Sequence, residues 1–147
     1  MFLSRLFSPK QRTIHLDYAS TTPVREEVLR AMLPYFRDEW ANPSAIYKAG
    51  VRAREVVESA RERVARMLRV RASGVLFTSG GTESNNHALF GYVEALRASG
   101  RAYTDMEIVT TQIEHASILE ACAVLKERGI TITYTPLTED GLIDHAE

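Results

Sequence analysis

The residues with most chemical potential stand in one short stretch, Ser79-Gly80-Gly81-Thr82-Glu83. It falls between Val75-Leu76-Phe77, predicted as a strand, and a helix predicted from Glu83 to about Ala98. Two glycines let the backbone approach a ligand with no Cβ in the way. The free N–H groups at a helix start, with the helix dipole, make an anion site, and the Thr82 hydroxyl adds a donor. This is the chemistry needed to hold a phosphate. The competing reading is that Ser79 or Thr82 merely caps the helix, and local chemistry alone favours it slightly. The stretch is not a Walker P-loop, since no Gly-Lys-Ser/Thr follows. Nor is it a dinucleotide fingerprint, since Gly-x-Gly-x-x-Gly is absent.

His115 is the second candidate. It lies between a predicted strand, Glu107–Thr111, and a predicted helix, Ala116–Arg128, at the carboxyl edge of a parallel sheet. Ligands in open α/β sheets bind along that edge. An imidazole there could stack on a flat cofactor ring or shuttle a proton; the bland alternative is a loop histidine beside a helix start. His87 reads as a helix residue, and His15 and His145 as exposed. Cys122 sits on the apolar stripe of its helix with Ile118, Leu119 and Leu125, so it reads as a small buried hydrophobe rather than a nucleophile. No two His or Cys residues stand at metal-ligand spacing.

The elements that must position these residues read in the order β-α-β-α-β from Gly74 to Leu137. The third strand is Ile130–Leu137, and Gly129 serves as the C-terminal cap of the helix before it. That alternation predicts parallel strands joined by crossovers in an α/β layer fold. Before it come an extended candidate at Thr13–Tyr18 and a turn at Ala19–Pro23. A helix follows from Pro23 to about Trp40, with Val28, Leu29, Met32, Leu33 and Phe36 as its stripe and a kink or break expected at Pro34. A loop covers Trp40–Gly50. A long helix spans Val51–Val70, with Val56, Ala60, Val64 and Met67 or Leu68 repeating at helical spacing. After the third strand, Leu142-Ile143-Asp144-His145 reads as the approach to another helix. Three parallel strands are a poor stopping point for a sheet normally covered on both faces.

Composition bounds the rest. The 147 residues are 45% hydrophobic and 25% charged, ordinary for a soluble globular domain. Eighteen basic against 19 acidic residues argue against a nucleic-acid or membrane-surface protein. A single cysteine excludes an internal disulfide and fits a reducing cytosol, so a cytoplasmic location is expected. No apolar run approaches the roughly 20 residues that span a bilayer. Met1–Arg12 reads as a plain leader with no secretory character. Fifteen of the basic residues are arginine and only three are lysine: Lys10 in the leader, Lys48 in the loop and Lys126 in the last turn of a helix.

Four segments in order carry a resemblance. They are Leu16-Asp17-Tyr18-Ala19-Ser20-Thr21-Thr22-Pro23, Asn42-Pro43-Ser44, Phe77 through Asn86, and Glu114-His115, with Asp140-Gly141-Leu142-Ile143-Asp144 adding to them. Together they resemble the amino-terminal part of the cysteine desulfurases, the NifS/IscS-like pyridoxal-phosphate enzymes of the class V aminotransferase family. The resemblance implies a partial large domain of the fold type I transferases, with an N-terminal segment at 1–50 and an incomplete cofactor domain at 51–147. It implies pyridoxal 5'-phosphate as cofactor, with Gly81 and Thr82 holding its phosphate. His115 would stack on its ring and take part in proton transfer. Thr21 and Asn42 fall on the substrate side. It reverses the preference for a simple helix cap. Ala41 before Asn42-Pro43, and Ala45-Ile46-Tyr47 after, depart from the family pattern.

The implied activity is removal of sulfur from L-cysteine, giving alanine and an enzyme persulfide for iron–sulfur clusters or tRNA thiolation. A homodimeric parent is implied, with a sulfur-acceptor or scaffold partner. The Schiff-base lysine and persulfide cysteine of the family have no counterpart among Lys10, Lys48, Lys126 and Cys122, so the chain is expected to be an inactive fragment. Alternatives are a related enzyme such as a selenocysteine lyase or aminotransferase, a non-catalytic subunit, or an unrelated small phosphate-binding domain.

Overall fold

The computed structural model describes residues 14–144; the leader and His145 lie outside the described residues. Described residues up to Ala72 form one compact unit, and those from Ser73 form another.

In the first unit, residues 14–17 make no strand pairing, although extended structure is predicted there. Alternation of Ile14 and Leu16 is not enough, since a strand needs a ladder and both side chains are exposed. The turn that follows is held by Asp17, which accepts from the Ser20 N–H and hydroxyl. α1 covers Glu26–Arg37, starting after Pro23 rather than at it, with Glu26 and Glu27 in the first turn where the helix dipole favours them. Pro34 does not break it. A proline removes only the bond to the carbonyl one turn earlier, and the helix closes normally when Asp38 and Glu39 N–H groups donate to Pro34 O at 2.8 and 3.0 Å. The predicted apolar stripe of α1 is present but exposed, and no residue of the helix is buried. Periodicity states a need for a partner face and does not supply one.

α2 covers Lys48–Leu68, so Lys48 is its first residue rather than a loop residue. Its buried positions are Gly50 and Ala65. Met67 and Leu68, predicted to join the stripe, are exposed instead. Their side chains sit where the helix is already ending: Arg69 takes the left-handed conformation (φ 56°), and Val70 N–H returns to Ala65 O.

The second unit holds α3 (Gly81–Ala98), β1 (Glu107–Thr110), α4 (Ala116–Glu127) and β2 (Thr131–Tyr134). The two strands pair in parallel from Glu107 opposite Thr131 to Thr110 opposite Tyr134. α3 packs on α4, and α4 on β2. Val93, Met106, Leu125 and Ile130 form the core, lined by Leu89, Phe90, Ile108 and Ile132 among others. Gly129 closes α4 as predicted. At φ 100° it lets Ile130 N–H reach Leu125 O and its own N–H reach Lys126 O, and the same turn delivers Ile130 into the core beside Leu125.

Two expectations are corrected in this unit. Val75–Phe77 is not a strand of the described sheet, which has two strands rather than three. Branched and aromatic side chains favour a pleated surface, but pairing is decided by which neighbours are available. Leu142–Asp144 does not approach a helix. Ile143 makes an antiparallel bridge to Leu137, around a turn in which Gly141 takes φ 76° and its N–H reaches Thr138 O. Asp140-Gly141 is the turn signal that outweighs the apolar pair after it.

Candidate functional site

α3 begins directly after Ser79-Gly80, and this turn is organised by its own side chains. The Thr78 and Ser84 hydroxyls lie 2.6 Å apart and both reach the Gly80 carbonyl at 3.2 Å. The Glu83 carboxylate turns back to accept from the Ser79 N–H (2.7 Å) and hydroxyl (2.6 Å). Those bonds, the hydroxyl first, hold the Glu83 carboxyl below its ordinary pKa, and His87 on the next turn adds to the effect.

Neither Ser79 nor Thr82 caps the helix: no side-chain cap bond is made at Gly80. Among the described residues the first-turn N–H groups of Gly81 and Thr82 therefore remain uncapped, with the Thr82 hydroxyl beside them. Nor does the chain itself require two glycines here. Gly80 is extended (φ 168°), Gly81 is helical, and a Cβ built at either would meet nothing within 4 Å. The open side of this turn is therefore shaped for something that is not this polypeptide, and an uncapped helix start suits an anion.

Thr82 opens a line along α3. Asn86 and Phe90 follow one and two turns later, and with Thr82 they form one wall of a cleft of about 380 Å³. The other wall is His115, Ala116, Ser117, Glu120, Ala121 and Val124 at the start of α4. Thr82 and His115 are thus brought to one cleft, with Gly81 at its edge. Asn86 also fixes the turn, donating from Nδ2 to Thr82 O at 2.9 Å. Asn86, Phe90, Ser117 and Glu120 were not singled out from sequence. The fourfold spacing 82–86–90 is the signal that would have found the first two.

His115 is the N-cap of α4, and its Nδ1 accepts from the Ser117 N–H at 3.1 Å. Ser117 is the one buried polar residue among those described. Cys122 is fully buried on the far side of this helix start; burial pushes its thiol pKa up and the Glu114 carboxylate adds to the rise. Lys126 sits in the last turn of α4, where the helix dipole favours a cation. His15 is exposed, bonded to Asp17 O and edge-on to Tyr18.

Thr21 and Asn42 belong to the first unit. Thr21 is exposed in the segment before α1. Asn42 folds its own loop: its Oδ1 accepts from the Ser44 N–H (2.9 Å) and its carbonyl from the Ala45 N–H (3.0 Å).

Comparison with known proteins agrees across the chain. The family model Aminotransferase class-V matches residues 14–147. The cysteine desulfurase IscS of Dictyoglomus turgidum is 41% identical over 134 residues, covering 91% of this chain and 33% of that protein. The IscS of Methanosarcina thermophila is 38% identical over 140 residues, covering 95% and 33%. Among solved structures, a NifS-like protein superposes with a TM-score of 0.75 at 34% identity, over 87% of this chain and 34% of that one. SspA in complex with cysteine superposes with a TM-score of 0.72 at 37% identity, over 85% and 35%. The chain spans about a third of the length of the curated relatives it matches. The parallel β1-α4-β2 unit, the open turn before α3 and these matches from residue 14 onward place the chain in the class V aminotransferase family.

Proposed function

We propose that this chain forms the amino-terminal part of a pyridoxal-phosphate enzyme that takes sulfur from L-cysteine and leaves alanine. The observation that carries the reading is the cleft shared by Thr82, the uncapped start of α3 and His115. The relatives named as cysteine desulfurases, and a structural neighbour in complex with cysteine, support the substrate. When bound, pyridoxal phosphate supplies an electron sink for bonds at the substrate α-carbon. The protein's part here is to hold and orient. Gly81 and Thr82 N–H groups and the Thr82 hydroxyl donate to the phosphate, and the His115 ring lies along the cofactor plane. Thr21 and Asn42 serve the substrate side in the assembled enzyme, which we take to be a homodimer handing its sulfur to an acceptor protein. A cytosolic setting fits, since no helix among the described residues is long and apolar enough to cross a membrane; a mitosomal cysteine desulfurase from Trachipleistophora hominis, 39% identical over 135 residues, is the organellar counterpart.

The covalent chemistry lies with groups other than those of the cleft. No cleft residue is a lysine, and Cys122 is buried with a raised thiol pKa. The 147-residue polypeptide alone is therefore expected to yield no alanine from L-cysteine in an amino-acid assay; measurable turnover would overturn this assignment.

Equilibrium dialysis against pyridoxal phosphate tests the site itself. Saturable binding is expected, displaced by inorganic phosphate. Thr82→Val is expected to weaken it about tenfold to a hundredfold, the value of a hydrogen bond to a charged group. Binding indifferent to both phosphate and Thr82→Val would remove the phosphate role.

A further inference from the structure

The imidazole of His115 is held through one nitrogen. The Ser117 N–H donates to Nδ1 at 3.1 Å, and the Ser117 hydroxyl lies 2.9 Å from the same atom. Ser117 is only 8% exposed. Behind it, Asn85 on α3 donates from Nδ2 to Ser117 Oγ at 2.8 Å. A main-chain amide can only donate, so Nδ1 must accept, and the proton of the neutral ring sits on Nε2. Asn85 occupies a lone pair of the Ser117 oxygen, which leaves the hydroxyl proton free to turn toward Nδ1 as well.

We propose that Ser117, backed by Asn85, is a positioning residue that locks His115 in its Nε2–H form and leaves that N–H as the ring's free edge. Neutral His115 then serves the cleft as a flat surface and a hydrogen-bond donor. Taking up a proton at Nδ1 would require breaking its bond to the Ser117 N–H. What this means for a cofactor rests on the function proposed above; the tautomer does not.

Proton–nitrogen correlation spectra of the full chain with isotope-labelled histidine, without cofactor and at a pH where the rings are neutral, report which nitrogen carries the proton. The expected pattern for His115 is a pyridine-type Nδ1 and a pyrrole-type Nε2. Ser117→Ala keeps the main-chain N–H but loses the hydroxyl. It is expected to shift the tautomer ratio about fivefold toward Nδ1–H, the value of one ordinary hydrogen bond. Asn85→Ala should shift it in the same direction by less, and Ser117→Thr should restore the original pattern. A protonated Nδ1 in the unsubstituted chain overturns the proposal, and so does a Ser117→Ala spectrum identical to it. Should Ser117→Ala fail to fold, the unsubstituted chain and Asn85→Ala decide by the same criteria. Because no cofactor is added, failure here is distinct from failure to bind pyridoxal phosphate.

Discussion

Leu125→Ala is expected to lower the stability of the second unit by about 2–5 kcal/mol, the range for a leucine removed from a closed core. Leu125 has no exposed surface and packs with Val93, Met106 and Ile130. Its carbonyl also receives the N–H groups of Arg128 and Ile130, each at 3.2 Å. The backbone around it is therefore pinned, and the walls of the new cavity cannot collapse inward at low cost. Domains are stable by about 5–15 kcal/mol in total, so one such loss is a large share. Urea unfolding followed by circular dichroism should show the midpoint falling with little change in slope. Leu142→Ala, at an exposed position, is the matched control and should stay within about 0.5 kcal/mol. Equal midpoints for the two variants would show that α4 is not seated on this core.

Gly50→Ala is expected to destabilise the first unit by about 1–3 kcal/mol, the cost of forcing atoms into a packed site. In a helix this exchange ordinarily stabilises by up to about 1 kcal/mol, because alanine restricts the unfolded chain. Here the new Cβ would meet Ala45 O at 2.6 Å, and Ala45 Cβ and Asn42 O at 2.8 Å. Two of these atoms are backbone and cannot swing aside as a long side chain would. The strain falls on the Asn42–Ala45 turn, so the substitution should also disturb the position of Asn42. Gly91→Ala in α3 meets nothing within 4 Å and should raise stability by about 0.5–1 kcal/mol. Thermal melts of the two variants should move in opposite directions; a shared sign would contradict the close approach at Gly50.

The helices and the two paired strands were legible because their signals are local. Val56 and Val64 repeat along α2, Gly129 stops α4 where a positive φ is needed, and branched residues crowd β2. The features that were missed depend on partners. Val75–Phe77 has strand composition, yet a ladder is a relation between two segments. The stripe of α1 is plain in the sequence, but whether it is covered cannot be. The turn at Asp140-Gly141 was readable from its residue types and was outweighed by the apolar residues after it. At the site, Thr82 and His115 were found from residue type and position on their elements. Ser117 was not, because its importance lies in a contact with Asn85, 32 residues earlier, that only packing of α3 on α4 creates.

The turn from Thr78 to Ser84 bears on the thermodynamics of capture. Its hydroxyls and the Glu83 carboxylate already hold it closed, using groups on the side away from the uncapped amides. An arriving anion would meet donors that need no rearrangement, so little conformational entropy is lost on association. Affinity at such a turn is governed by how slowly the anion leaves rather than by how often the loop visits the right shape.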